Sequence, residues 1–275
     1  MGPNPPPALT VPRRPVTSAA MNPIIASLRA DPSLAQLRRS LDVYYGDPAR
    51  DRAMDALYRH FVKSGDLAFD IGSHVGDRIG SFRRLGARVV ALEPQPDCAR
   101  VIRAIYAGQP EVTLVESACG PTPGKLKLHI NSANPTVTTA SRDFVAAAGG
   151  ARGWEGQIWD REIEVPVTTL DALVAAHGRP VFVKIDVEGF EADVLAGLSA
   201  PVPVLSFEFT TIQRDVALRC LELLARLGPY RFDLALGESQ QLTFDRWITA
   251  ADMAAHIEGL PHAANSGDVY VRLSA

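Results

Sequence analysis

The chain has 275 residues, 47% of them hydrophobic, enough to bury one large α/β domain with small additions or two small domains. Its net charge of -3 argues against a general nucleic-acid or membrane-surface binder. No segment approaches the roughly 20 apolar residues of a membrane span, and Met1 to Thr17 has no apolar run of signal-peptide length.

Residues 1–21 are rich in proline, have little to bury and read as a disordered tail. From Asn22 to Leu41 apolar residues recur at helical spacing, with Pro32 breaking the stretch. A second helical stretch, about Pro48 to Val62, puts Met54, Leu57, Tyr58 and Phe61 on one face. Residues 22–64 are therefore expected as a helical extension ahead of a main domain over 65–275. There an alternation begins. Leu67–Ile71 reads as a buried strand, Asp77–Leu85 as a helix with Gly86 after it, and Arg88–Glu93 as a second strand. A helix from Asp97 and a strand at Val112–Val115 follow. The β-α-β-α-β order favours a doubly wound, mostly parallel sheet.

Lys125–Ile130 alternates as a strand, and residues 131–162 are less regular. The region of about 125–165 is expected as a substrate-facing insertion, because long irregular loops in compact domains usually carry function. Trp154 and Trp159 in it suit either stacking on a sugar face or packing the loop onto the body. Thr169–Leu173 starts a helix, Val181–Asp186 is a fourth core strand, Phe190–Leu198 a short helix and Val202–Phe209 a fifth strand. Asp215–Leu227 is a periodic helix, and Tyr230–Leu236 and Val269–Leu273 supply two last strands, the final one antiparallel.

The turn Asp70-Ile71-Gly72-Ser73-His74-Val75-Gly76 carries chemistry. Gly72 lets the chain turn sharply and leaves room for a ligand, and Gly76 permits close packing or close ligand approach. Open α/β sheets bind ligands beyond these strand ends. A dinucleotide site wants a third glycine and a pyrophosphate at the helix start. An acid such as Asp70 suits an ammonium group better than a phosphate. Glu93, ending the second strand, suits the two hydroxyls of a ribose.

Lys184-Ile185-Asp186-Val187-Glu188-Gly189-Phe190-Glu191, with Val194-Leu195 and Gly197 after it, is similar to the signature of the FkbM family of methyltransferases. Thr168-Thr169-Leu170-Asp171 and the block Phe69 to Gly76 resemble that family too. The family usually has Ala-Asn where this chain has Ser73-His74, so the contacts of that loop are left open. The resemblance spans roughly residues 65–210. It implies a class I, Rossmann-like methyltransferase fold with a seven-stranded sheet, S-adenosylmethionine as cofactor, and O-methylation, often of sugars or other natural products. It also implies that Asp70, Gly72 and Gly76 line the methionine part of the cofactor, that Glu93 holds its ribose, and that Ser117 and Ala118 lie near adenine. Ser73, His74, Pro94 and Asp186 complete the expected cofactor-binding set.

Methyl transfer to an alcohol needs alignment, exclusion of water and a proton acceptor. Lys184, Asp186 and Glu188 alternate to one side if the fourth strand persists, and Glu208 lies late in the fifth. One of Asp186, Glu188 and Glu208 is expected to accept the proton or orient the hydroxyl, with Lys184 pairing a carboxylate or an oxyanion. The same residues also suit an ion-pair network that merely organises the strand ends. Tyr44 and Tyr45 are candidates to cap the site. The spacing of Cys98, Cys119 and Cys220 fits no zinc or redox motif, no clear ligand set is visible elsewhere, and no metal is expected. The expected partner is a small-molecule hydroxyl acceptor, with no nucleic acid and no membrane, with room for a homodimer, in a reduced, cytoplasmic setting. Two rival readings share these residues. One is an NAD-dependent oxidoreductase, opposed by the missing glycine. The other is a methyltransferase-like binding protein without activity, opposed by the intact Asp70, Gly72, Gly76 and Glu93.

Overall fold

A computed structural model describes residues 22–274, so the tail expected over 1–21 lies outside the described residues. Three helices come first: α1 (Pro23–Ala30), α2 (Arg38–Tyr45) and α3 (Pro48–Tyr58). Asn22 and Asp47 cap α1 and α3 by accepting from the second helical N–H, with proline leading each helix. Then follow β1 (Leu67–Ile71), α4 (Asp77–Arg84), β2 (Arg88–Leu92), α5 (Pro96–Ile105) and β3 (Val112–Val115). The central part holds β4 (Ala118–Cys119), β5 (Gly124–Ile130), α6 (Arg142–Ala148), β6 (Arg161–Thr168) and α7 (Leu170–His177). The chain closes with β7 (Phe182–Ile185), α8 (Glu191–Ala196), β8 (Val204–Thr210), α9 (Arg214–Leu227), β9 (Tyr230–Leu236), α10 (Ala250–Gly259) and β10 (Ser266–Leu273).

Seven strands form one sheet in the order β3-β2-β1-β7-β8-β10-β9. Pairing is parallel from β3 through β8, and β10 runs antiparallel to both β8 and β9. The antiparallel strand is last in the chain but inserted between β8 and β9. Apolar side chains leave both faces. One face packs Phe69, Ile71, Val183, Ile185, Leu205 and Phe207 against α7 to α10. The other packs Ala68, Val89, Phe182 and Tyr270 against Met54 and Tyr58 of α3 and Ile79 and Phe82 of α4. Leu34, Leu37 and Leu41 bind the first helices to Val75, Cys98 and Val101. All three cysteines are buried and unpaired.

The region 125–165 holds more order than its sequence suggests. β6 pairs antiparallel with β5 and parallel with β4 in a separate three-stranded sheet. Pro166 disguises β6 in the sequence. It is tolerated because β4 reaches only Val167 and Thr168, leaving one side of β6 without a paired strand at residue 166, whose carbonyl accepts from the Ser117 hydroxyl instead. Trp154 is buried with its ring 5.2 Å from and perpendicular to that of Phe144, and Trp159 donates to the Val137 carbonyl at 2.9 Å. Both pack the segment onto the body, which corrects the sugar-stacking alternative. Helix α10 carries no strong apolar period. Its start is fixed by a capping box between Thr249 and Asp252.

Candidate active site

The site lies beyond the C-terminal ends of β1, β2, β7 and β8, where the order reverses from β1-β2-β3 to β7-β8. Gly72 adopts φ +87, and a side chain there would collide with the Asp186 carbonyl, so the ends of β1 and β7 can close on each other only around a glycine. His74 also has positive φ, at 49°. Its N–H donates to Glu93 Oε2 at 2.7 Å, and the N–H of Gln95 donates to Glu93 Oε1 at the same distance. One buried acid thus ties the turn after β1 to the end of β2. Burial, opposed by these two hydrogen bonds, raises the Glu93 carboxyl to about 8.

Two cavities meet here. The first is lined mainly by Leu92, Glu93, Pro94, Ser117, Ala118, Leu128 and Phe190, a mostly apolar slot in which Glu93 is the acid not shared with the second. The second is polar, lined by Tyr44, Asp70, Ser73, Asp77, Arg78, Lys184, Glu208 and Glu238. Gly72, His74, Thr136, Asp186 and Glu188 line both, so the cavities abut. The fold therefore gathers every expected cofactor-binding and catalytic residue except Gly76. That glycine is the left-handed N-cap of α4, and a Cβ on it would meet the Tyr106 ring at 2.9 Å. Its freedom serves helix packing, and the expected ligand contact is corrected accordingly.

Asp70 is buried at 1% exposure, and its Oδ2 has no partner among the described residues. Burial, then the charge of Asp77, lifts its carboxyl to about 7. An unpaired buried acid of this kind suits a cationic ligand group. His74 bonds Ser40 Oγ at 2.8 Å, and burial lowers its imidazole to about 4, so it is neutral at neutral pH.

Lys184, fully buried on β7, donates to Asp186 at 3.0 Å and Asp268 at 2.7 Å. Burial opposes the ionised Asp186, but Lys184 and Arg78 outweigh it and hold that carboxyl below its ordinary value. Burial and the neighbouring acids push Glu188 and Glu208 well above theirs. One detail departs from the expected strand alternation. β7 ends at Ile185, and Glu188 has φ +56, so a left-handed turn rather than the strand brings it beside Asp186. Carboxylate oxygens of Asp186, Glu188 and Glu208 lie within 4.8 Å of one another.

Sequence reasoning missed four polar residues at this site. Asp77 pairs with Arg50 and Arg78, each at 2.7 Å, and Glu238 pairs with Arg50 at 2.9 Å. Arg78 and Glu238 are 160 residues apart, and nothing local marked them. Asp77 follows Gly76 directly and was readable as an acid in a helix first turn. Tyr45, a candidate cap, donates to the Val75 carbonyl at 2.7 Å and braces the loop from behind. No helix among the described residues is long and apolar enough to cross a membrane.

Among solved structures, the chain is similar to the O-methyltransferase from Bacillus cereus in complex with SAH, at 10% identity over 94% of each chain with a TM-score of 0.45. It is similar to the precorrin-6y C5,15-methyltransferase from Geobacter metallireducens GS-15, at 14% identity over 82% of this chain and 87% of that one, TM-score 0.40. It is also similar to a putative RNA methyltransferase from Pyrococcus horikoshii, at 9% identity over 82% and 84%, TM-score 0.39. A comparison with curated proteins finds no match. The family model for the methyltransferase FkbM domain matches residues 70–227, from the Asp70 turn through α9. That match takes in more than half of the chain, which belongs to the FkbM family of S-adenosylmethionine-dependent methyltransferases.

Proposed function

We propose that the protein transfers a methyl group from S-adenosylmethionine to a hydroxyl of a small molecule, a sugar or another natural product. The observation that carries this reading is the junction of the two cavities: a mostly apolar slot holding Glu93 abuts a polar chamber ringed by carboxylates, and five residues, Asp186 and Glu188 among them, line both. In this reading Ser117, Ala118, Leu128 and Phe190 enclose adenine. Glu93 accepts from the ribose hydroxyls, helped by Pro94 and Gln95 at the strand end. Asp70 faces the ammonium of the methionine part, beside Gly72, Ser73 and His74. Asp186, which lines both cavities, would face the sulfonium that supplies the methyl group, and Tyr44, Arg78 and Glu238 would enclose the acceptor in the polar chamber.

The acceptor oxygen attacks the methyl carbon in line. A C–O bond forms, the S–C bond breaks, and its electron pair stays on sulfur as the thioether of S-adenosylhomocysteine. The hydroxyl proton passes to one of Asp186, Glu188 and Glu208. The carboxylates also accept hydrogen bonds from neighbouring hydroxyls, which suits an acceptor with several of them. Lys184 fixes Asp186 and keeps it ionised. Thr136 and Thr138, from the insertion, border the slot and help exclude water.

The test is incubation of the full chain with methyl-13C-labelled S-adenosylmethionine and a panel of free sugars, glycosides and macrolide alcohols. New O-methyl resonances support the reading. Binding of S-adenosylmethionine without turnover on any member favours a non-catalytic binding protein, and methyl groups appearing on nitrogen or carbon refute it.

A further inference from the structure

The stretch from Lys184 to Glu191 ends on an acid that neither cavity uses. Glu191 is 2% exposed and lines neither of them. It is the first residue of α8, but two donors to its carboxylate lie before that helix. The N–H of Val187 donates to Oε1 at 3.0 Å, and the N–H of Gly189 donates to Oε2 at 3.1 Å. Neither N–H has an acceptor elsewhere among the described residues. An acid that merely complements a helix start faces the helix's own free N–H groups. Glu191 instead holds the turn that joins β7 to α8. Burial raises its carboxyl to about 7, and backbone N–H groups, those of Val187 and Gly189 among them, act against that rise.

That turn is the least ordinary backbone in the site. Glu188 at φ +56 and Gly189 at φ +88 are left-handed in succession. A residue other than glycine persists there only when its surroundings over-determine it. Two such surroundings are present. Glu191 binds the N–H groups on either side of Glu188, and the Thr139 hydroxyl of the insertion donates to the Glu188 carbonyl at 2.6 Å. Strand pairing of β7 stops at Ile185, so the place of Glu188 is left to the turn. Asp186 has supports of its own: Lys184 donates to its carboxylate, and its N–H donates to the Ile71 carbonyl at 2.9 Å.

We infer that Glu191 is a positioning residue: by binding the Val187 and Gly189 N–H groups it fixes the left-handed turn, and so sets where Glu188 stands at the junction of the two cavities. It touches neither cofactor nor acceptor and acts through Glu188, which lines both cavities. Side chains at a reacting centre work only when held close to the productive geometry, and the groups behind them supply that hold. That this placement serves methyl transfer rests on the proposed reaction; the hold on the turn does not.

The test compares Glu191→Gln with Asp193→Asn in the full chain. Both acids lie in the first turn of α8, so both variants lose one favourable charge at the helix start. Only Glu191→Gln disturbs the hold on the turn, because a glutamine amide has one oxygen to offer two donors. Backbone amide exchange read by NMR should show Val187 and Gly189 protected in the wild type, about tenfold faster in Glu191→Gln, and still protected in Asp193→Asn. On an acceptor from the labelled panel, Glu191→Gln should lower kcat by roughly ten- to a hundredfold, the scale of a misplaced reacting group. The S-adenosylhomocysteine Kd should hold within about threefold, because Asp70 and Glu93 carry that ligand in the proposed reading. Asp193→Asn should keep the wild-type kcat. The wild-type protection needs no variant and decides the matter if Glu191→Gln fails to fold: unprotected Val187 and Gly189 amides overturn the inference. So do a folded Glu191→Gln with wild-type exchange or wild-type kcat, and an equal loss of kcat in Asp193→Asn. If the amides behave as expected and no acceptor is methylated, the hold on the turn stands and the O-methyl transfer reading falls. If an acceptor is methylated and the amides are unprotected, the inference falls and that reading stands.

Discussion

Lys184 on β7 bonds Asp268 on β10 at 2.7 Å across β8, which lies between them. The crossing is possible because the residue in register with Lys184 on β8 is Ser206, a small side chain. Asp268 in turn stands opposite Glu208, so the antiparallel strand delivers a second acid at the level of the site. Burial works against the charged lysine, but Asp186 and Asp268 outweigh it and keep it protonated. Lys184→Met should therefore strand two acids and cost about 3–5 kcal/mol, as broken buried ion pairs do. Urea denaturation checks this. Adding Asp268→Asn should return part of the loss; an unchanged midpoint in the single variant would mean that the pair contributes nothing.

Glu93 makes cofactor affinity depend on pH. Its carboxyl is raised from an ordinary 4.5 to about 8, chiefly by burial. The unfolded chain ionises at the lower value, so the stability linked to this group is full below it and is lost as pH rises through about 8. Ribose hydroxyls donate to the ionised form, so binding releases a proton while the free protein still holds it. Affinity for S-adenosylhomocysteine should climb as pH rises through about 8, with calorimetric heats that follow the buffer's ionisation enthalpy. Glu93→Gln should flatten this profile and weaken binding about ten- to hundredfold, the worth of charge-assisted bonds.

The cofactor side of the site was legible because its residues are local. Asp70, Gly72, Ser73 and His74 follow one another, and Glu93 ends the next strand. The sheet was legible because its strands are continuous apolar runs. The acceptor side was not, because tertiary packing assembles it. Arg50 and Glu238, 188 residues apart, meet at 2.9 Å, and no periodicity encodes that meeting. Glu188 was found for an incomplete reason: strand alternation pointed to it, while a left-handed residue put it there. β6 was hidden by Pro166, and α10 by a helix face too weakly apolar to stand out.

Gly72→Ala tests how closely β1 and β7 must approach. The new Cβ collides with the Asp186 carbonyl, and φ +87 is strained for any side chain. A backbone atom cannot rotate away as a side chain does, so the strand ends must separate. The left-handed strain alone costs about 1–3 kcal/mol. Thermal melting should record a loss at least that large, and S-adenosylhomocysteine binding should fall with it. Gly124→Ala has φ +159 but open space around the added carbon, so it should leave binding unaffected.

Tyr44 and Trp154 separate acceptor recognition from packing. Tyr44 lines the polar chamber, with its ring edge-on to His74 at 5.9 Å and Arg50 above its face at 4.8 Å. Trp154 lines neither cavity and is buried against Phe144. Tyr44→Ala should raise the acceptor KM about tenfold, the loss of one aromatic wall at ~1–1.5 kcal/mol, with the S-adenosylmethionine Kd unchanged. Trp154→Ala should lower stability by about 3–5 kcal/mol while KM at low temperature stays near the wild-type value. Steady-state kinetics on whichever acceptor the labelled panel yields, with melting curves on both variants, decides it. A KM effect confined to Trp154→Ala would move the acceptor out of the chamber and onto the insertion.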